Sequence, residues 1–205
     1  MDDELTRRRL LALGLAIPPL GLALAGAESL LDTVGAAAAP LQATPTCDDG
    51  DDPTPELTEG PYFSSGTPRR RSLVTQGMRG TRLTITGYVL TSACRPIKRA
   101  KLDFWQADAN GVYDNHGYRL RGHQFTDSAG RWRLDTIVPG VYTGRTKHIH
   151  VKVQRPGGDV LTTQLFFPGV SANAGDRLYE RDLLLRRWRR VGARRTGRFD
   201  FVLAA

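Results

Sequence analysis

Between Leu83 and Phe167 the chain alternates apolar and polar residues, turn signals interrupt it at short intervals, and no helical period appears anywhere in that stretch. Successive side chains of a strand point to opposite faces, so a period of two marks a strand with one face buried. Leu83-Thr-Ile85-Thr-Gly-Tyr-Val89 and Ala100-Lys-Leu102-Asp-Phe104-Trp-Gln-Ala107 both read this way. So do Arg131-Trp132-Arg-Leu134, His148-Ile-His-Val151-Lys-Val153 and Val160-Leu-Thr-Thr-Gln164-Leu-Phe-Phe167. Gln124-Phe-Thr-Asp127 leads into the turn Ser128-Ala-Gly130, and Arg155-Pro-Gly-Gly158 joins the last two strands. Many short strands at this spacing predict an all-β fold, an antiparallel β-sandwich. A short helix fits only near Arg177 to Leu185.

The 205 residues suit one domain with appendages. Thr6-Arg7-Arg8-Arg9 precedes an uncharged apolar run, Ala12 to Ala27, broken by Gly14, Pro18, Pro19 and Gly21. Paired arginines before such a run predict a twin-arginine export signal over residues 1–40, and the breaks disfavour a stable membrane span. An exported chain, extracellular or in the cell envelope, is expected, with no membrane insertion once the signal is cleaved. Residues 1–40 hold three arginines and five acids, so without them the net charge rises from +8 to +10. Residues 41–57, rich in Pro, Asp and Thr, read as an extended linker, and residues 58–205 as the domain. Cys47 and Cys94 are the chain's two cysteines, and outside the cytoplasm a disulfide between them is expected.

Acidic residues gather at 48–59 and arginines at 181–198, where Arg186, Arg187, Arg189, Arg190, Arg194 and Arg195 fall. That C-terminal stretch reads as a short, solvated extension with Trp188 and Leu183 to Leu185 as its buried stripe. It has no interleaved stacking aromatics, so a nucleic-acid partner is not expected.

His148-Ile149-His150 is the sharpest local feature. Residues two apart on a strand share a face at about 6.6 Å, so two imidazoles can converge on one metal ion. Alternate surface histidines look the same, and the motif alone leaves both readings open. Arg145 lies three residues upstream and Tyr142 three further, in Val138-Pro-Gly-Val-Tyr142, while Tyr113 sits in the Gly-marked loop Asp108-Ala-Asn-Gly111-Val-Tyr113. Taken singly, each tyrosine is more often a half-buried packing residue than a ligand.

Seven segments in this order together resemble the intradiol ring-cleavage dioxygenases. They are Thr58-Glu-Gly-Pro-Tyr62-Phe; Phe104-Trp-Gln-Ala-Asp108-Ala-Asn-Gly-Val-Tyr113; Leu120-Arg-Gly122; Thr126-Asp-Ser-Ala-Gly130; Ile137-Val-Pro-Gly-Val-Tyr142; Arg145-Thr-Lys-His148-Ile-His150; and Leu161-Thr-Thr-Gln164-Leu-Phe-Phe-Pro168. The chain looks most like the short secreted branch, which carries the Thr-Glu-Gly-Pro-Tyr segment and a cysteine pair. It departs from catechol dioxygenases in having no long helical N-terminal region, so the resemblance leaves the oligomeric state open.

The resemblance implies the family's β-sandwich core and Fe(3+) held by Tyr113, Tyr142, His148 and His150. It implies a small aromatic diol as substrate, with O2 as co-substrate and a cis,cis-muconic acid derivative as product. Tyr142 would be the ligand that substrate displaces, Arg145 would stabilise charge building on the ring, and Gln164 would hold that guanidinium. Tyr118 is the second choice for the place of Tyr113, Tyr62 is expected to pack, and His116 and His123 are expected in loops. The competing account is a secreted β-sandwich binding or metal-carrier module without catalysis, His148 and His150 holding copper or nothing.

Overall fold

The computed structural model describes residues 52–142 and 144–204. The expected export signal, most of the 41–57 segment and Cys47 lie outside those residues. The described chain is two sheets with no α-helix. The strands are β1 (Arg82–Thr91), β2 (Lys101–Trp105), β3 (Arg121–Phe125), β4 (Arg131–Ile137), β5 (His148–Gln154) and β6 (Val160–Phe166). Two 3-10 turns follow, Ser171–Gly175 and Arg181–Leu183, then β7 (Arg186–Val191), β8 (Arg194–Arg198) and β9 (Phe201–Leu203).

One sheet has the order β4-β1-β8-β7 with β9 beside the end of β1, and the other the order β3-β2-β5-β6. The period-two pattern explains the facing. Leu83, Ile85 and Val89 of β1 are at most 1% exposed, while Thr84 and Thr86 between them are only partly buried. Ile149, Val151 and Val153 of β5 point into the same core, joined there by Leu102, Phe104, Leu134 and Phe201. Burying each such aliphatic side chain contributes about 1.5–3 kcal/mol, which fixes the register against a one-residue slip. On β5 that register leaves His148 and His150 on the face away from the core.

Three features differ from the sequence expectation. The sandwich is not purely antiparallel, because β8 and β9 both run parallel to β1. Parallel neighbours need a crossover connection, and here the chain returns to β1 only after the whole second sheet has formed; hairpin signals cannot reveal that pairing. The arginine-rich segment is no extension: β7, β8 and β9 are strands of the first sheet, and Leu183 and Leu185 are buried beneath them. The expected helix near Arg177–Leu185 is only the single 3-10 turn Arg181–Leu183. Residues 52–57 run extended, with Thr54 N donating to Val202 O at 2.9 Å and Leu57 N to Thr162 O at 2.8 Å. Among the described residues no helix is long and apolar enough to cross a membrane.

Candidate metal centre

His148 and His150 are 4% and 3% exposed, and their Nε2 atoms lie 3.0 Å apart. His148 Nδ1 is 2.6 Å from the carbonyl oxygen of Thr146. A carbonyl can only accept, so the proton sits on Nδ1 and Nε2 presents a bare lone pair. Burial lowers the His148 pKa to about 4 and that of His150 well below its ordinary value, with the neighbouring histidine and Arg145 adding to the latter. Both rings are therefore neutral near pH 7. His150 lies flat on Trp105, centroids 4.7 Å apart and planes at 9°, because the two residues are direct partners in the β2–β5 ladder.

Tyr113 reaches the histidines from the loop after β2, its hydroxyl 3.1 Å from His148 Nε2. Asp108 shapes that loop by accepting from Asn110 N and Val112 N at 2.9 and 3.0 Å. The loop carrying Tyr142 lies against it backbone to backbone, with Gly140 N donating to Asp108 O at 2.7 Å. Two glycines permit that approach: a Cβ on Gly140 would lie 2.4 Å from Gly111 N, and one on Gly111 would lie 2.1 Å from Val141 O. The rings of Tyr113 and Tyr142 consequently meet edge to face at 5.8 Å. Burial pushes the Tyr113 phenol well above its ordinary range. Its anion would form here only beside a concentrated positive charge.

Two donors about 2.1 Å from one ion and at right angles to each other lie about 3.0 Å apart. The separations of 3.0 Å between imidazole nitrogens and 3.1 Å from phenol to imidazole match that spacing. His148 Nε2 can accept from His150 Nε2–H, and with the His150 proton on Nδ1 instead the two imidazoles present facing lone pairs that a shared cation accommodates. Phenolate oxygens beside imidazoles suit a hard trivalent ion. Among the described residues no group of three or more His, Cys, Asp and Glu side chains could hold a metal, so any site here must use the tyrosines. The donor set fits ferric iron.

Arg145 enters from the turn closed by its own N–H to Tyr142 O at 2.9 Å. Its Nε donates to both oxygens of Asp176 at 3.0 and 2.9 Å, and its Nη2 donates to Gln164 Oε1 at 2.6 Å. Gln164 is fully buried, sits opposite His150 on β6, and donates in turn to Thr58 O at 3.1 Å. Asp176 also accepts from Thr146 N at 2.8 Å and Leu178 N at 2.9 Å.

Sequence reasoning passed over other contributors. Asp176 stands in no motif that would have marked it. Tyr62 does more than pack: its hydroxyl is 2.5 Å from that of Tyr142 and its ring stacks on Tyr113 at 4.4 Å. Its place in Thr58-Glu-Gly-Pro-Tyr62 was the available signal. Arg121, 1% exposed, donates to Asp114 O and to Tyr62 O, tying the Tyr62 and Tyr113 segments together. Tyr118 is not at the site; its hydroxyl donates to Ser65 O on the surface. His116 stays in an exposed loop, whereas His123 is on β3 rather than in a loop, with Nδ1 2.8 Å from Thr67 O.

The two-sheet sandwich thus carries a histidine and tyrosine cluster on the outer face of one sheet. The dioxygenase family model matches residues 58–204, and the chain belongs to the intradiol dioxygenase family. It is 34% identical over 119 residues to the protocatechuate 3,4-dioxygenase beta chain of Burkholderia cepacia, covering 49% of this chain and 51% of that one. It is 29% identical over 141 residues to the chlorocatechol 1,2-dioxygenase of Pseudomonas putida, covering 54% and 52%. The chain thus spans about half the length of these curated relatives. Among solved structures it resembles the dioxygenase domain of a dioxygenase carbohydrate-binding protein fusion from Streptomyces sp. SirexAA-E. There the TM-score is 0.73 at 54% identity, over 75% of this chain and 99% of that one. The 3-chlorocatechol 1,2-dioxygenase of Rhodococcus opacus 1CP gives a TM-score of 0.70 at 28% identity, over 74% and 73%.

Proposed function

We propose that this chain is an Fe(III)-dependent intradiol dioxygenase that cleaves a catechol-type ring between its hydroxyls, placing both atoms of O2 in a cis,cis-muconic acid derivative. The observation that carries the reading is that His148 Nε2 lies 3.0 Å from His150 Nε2 and 3.1 Å from the Tyr113 hydroxyl, with the Tyr142 ring beside that of Tyr113. Tyr113, Tyr142, His148 and His150 would hold the ion. When bound, it supplies Lewis acidity toward the two substrate oxygens.

The chain's own residues do the rest. Tyr142 is only half buried and is the exposed member of the set, so it can swing away and accept a substrate proton. Tyr62, already 2.5 Å away, meets that hydroxyl with its own. Arg145, fixed by Asp176 and Gln164, is a preorganised cation for negative charge developing on the ring, and preorganised donors of this kind are worth about 3–4 kcal/mol. The flat stack of Trp105 on His150 keeps water from one side of the site. A passive carrier would have no use for a clamped guanidinium, which weighs against the binding-module account. Residues 1–40 would direct export by the twin-arginine route, and Cys47 would pair with Cys94 in the exported form.

The test is the purified protein loaded with ferric ion. A visible tyrosinate charge-transfer band should appear, shift on adding catechol, and bleach with one O2 consumed per ring opened. A colourless, inert preparation after ferric reconstitution sinks the proposal.

A further inference from the structure

The arginine-rich C-terminal segment plays no part at His148 and His150, and the fold gives it a definite place. Leu83, Ile85 and Leu134 point into the core, so Arg82, Thr84, Arg133 and Asp135 project from the outer face of the first sheet. Cross-strand register extends that face over β8 and β7. Asp135, Thr84, Thr196 and Arg189 form one row, and Arg133, Thr86, Arg198 and Arg186 the next. His148 and His150 occupy the outer face of the other sheet, so the two surfaces lie on opposite sides of the sandwich.

A bulge makes the second surface more basic than a regular strand would. Arg186 and Arg189 are three residues apart and would ordinarily point to opposite faces. The register shift between them, with Arg187 at φ 48°, pairs them with Arg198 and Thr196, two residues of one face of β8. Both guanidiniums are thereby aimed outward.

Little acid balances them. Arg133 pairs with Asp135 and Arg198 with Asp200, and the Asp135 carboxylate also feels the charge of Arg194. Among the described residues, Arg82, Arg186, Arg189 and Arg194 carry no ion pair. A depression of about 280 Å³ opens on this face, lined in part by Arg82, Arg133, Asp135 and Arg194. Arg82 Nη1 is buried there with no partner, and so is Thr196 Oγ1 one strand over. A buried donor without an acceptor is costly, and an oxyanion entering the depression would satisfy it.

We propose that the outer face of β4-β1-β8-β7 binds a linear acidic polysaccharide. One carboxylate or sulfate would seat against Arg82 and Arg194, and further anionic groups would lie along Arg186 and Arg189. Arg82 and Arg194 flank the paired residues Leu83 and Arg195 on adjacent strands, close enough to share one oxyanion. Thr86 stands between the guanidiniums and offers a hydroxyl to the sugar, whereas Thr84 Oγ1 already donates to Asp135 Oδ1 at 2.6 Å. Among the described residues, this face exposes no aromatic ring on which a nucleic-acid base could stack. Val191 is, among the described residues, the one large apolar side chain exposed on this face, too little for insertion into a membrane.

The test measures binding of the full chain to polygalacturonate and to dextran sulfate at about 150 mM salt. Neutral dextran and mixed-sequence duplex DNA are run alongside. Saturable binding to one or both acidic polysaccharides is expected, and competition between them shows whether carboxylate or sulfate is preferred. The pair Arg82→Gln with Arg194→Gln, and separately Arg186→Gln with Arg189→Gln, should each weaken binding roughly tenfold and lower the salt slope by about two; removing the same charge by Arg95→Gln with Lys98→Gln should change it less than about twofold. The exposed Arg186 and Arg189 keep the test decisive where the Arg82 variant misfolds. No binding, equal weakening by the Arg95 and Lys98 pair, or tighter binding to DNA than to both polysaccharides would each overturn the assignment.

Discussion

The hydroxyls of Tyr62 and Tyr142 lie 2.5 Å apart, although 80 residues separate them in the chain. The Tyr62 ring also stacks on Tyr113 at 4.4 Å, so one side chain from the N-terminal segment touches both tyrosines of the proposed ligand set. The contact with Tyr142 raises the Tyr62 pKa, and burial adds to it, so Tyr62 keeps its proton and can donate to a Tyr142 phenolate. Tyr62→Phe would keep the stack and remove the donor. One lost hydrogen bond of about 1 kcal/mol predicts a roughly fivefold fall in kcat/KM. Iron content should be unchanged; loss of iron would show that Tyr62 builds the site rather than assists it.

Ferric loading should stabilise the fold, because the ion binds a cluster that exists only in the native state. At about 100 times Kd the gain is about 2.7 kcal/mol, which for a domain of this size is about 5–10 °C in Tm. Tyr113→Phe, His148→Ala and His150→Ala should each abolish both the gain and the colour. Tyr118→Phe should keep both. A ferric-dependent Tm rise that survives in His148→Ala would place the ion elsewhere.

Arg145 is 18% exposed and Asp176 only 1% by side chain, so the pair sits largely out of water. Asp176→Asn would turn an amide donor toward Thr146 N or Arg145 Nε, which are donors themselves. A loss of about 2–3 kcal/mol in stability is expected from the unsatisfied groups. If the role of Asp176 is to aim Arg145, kcat should fall roughly 100-fold with KM little changed, and adding Arg145→Met should cost little more. Additive losses would instead mark Asp176 as merely structural.

Much of this architecture is legible in the sequence because burial writes itself locally. Ile149 between His148 and His150 declares a strand with one face inward, and the same alternation gives β1, β2, β4 and β6. What the sequence hides is set by distant pairing. Arg186 to Val191 shows no apolar alternation, because β7 is an edge strand with only Trp188 partly buried, and so it reads as a solvated tail. Asp176 is invisible for a related reason: its worth depends on Arg145, 31 residues away, and on two backbone N–H groups that only the fold supplies. Gly111 and Gly140 register as loop glycines. That they let the two tyrosine loops touch is a three-dimensional fact.

The turn between β3 and β4 makes the acid sensitivity of the fold testable. Asp127 accepts from Ala129 N and Arg131 N through Oδ1, both at 2.9 Å, and from Arg131 Nε through Oδ2 at 2.8 Å. Burial alone would raise its pKa, but those hydrogen bonds and the Arg131 charge outweigh it and hold the carboxyl below 3.8. Asp135 and Asp176 are lowered in the same way, each against the pull of burial. A group that binds its proton less readily folded than unfolded stabilises fully above the unfolded value, and that stabilisation is lost as pH falls through the folded one. Tm should therefore hold steady down to about pH 5 and decline steeply below about pH 4. Asp127→Asn keeps the Oδ1 contacts and removes the charge, so it should melt below the wild type at pH 7. The two melting curves should converge as acid protonates Asp127 in the wild type. A gap that stays constant from pH 7 to pH 3 would mean that the carboxylate's charge contributes nothing to the turn.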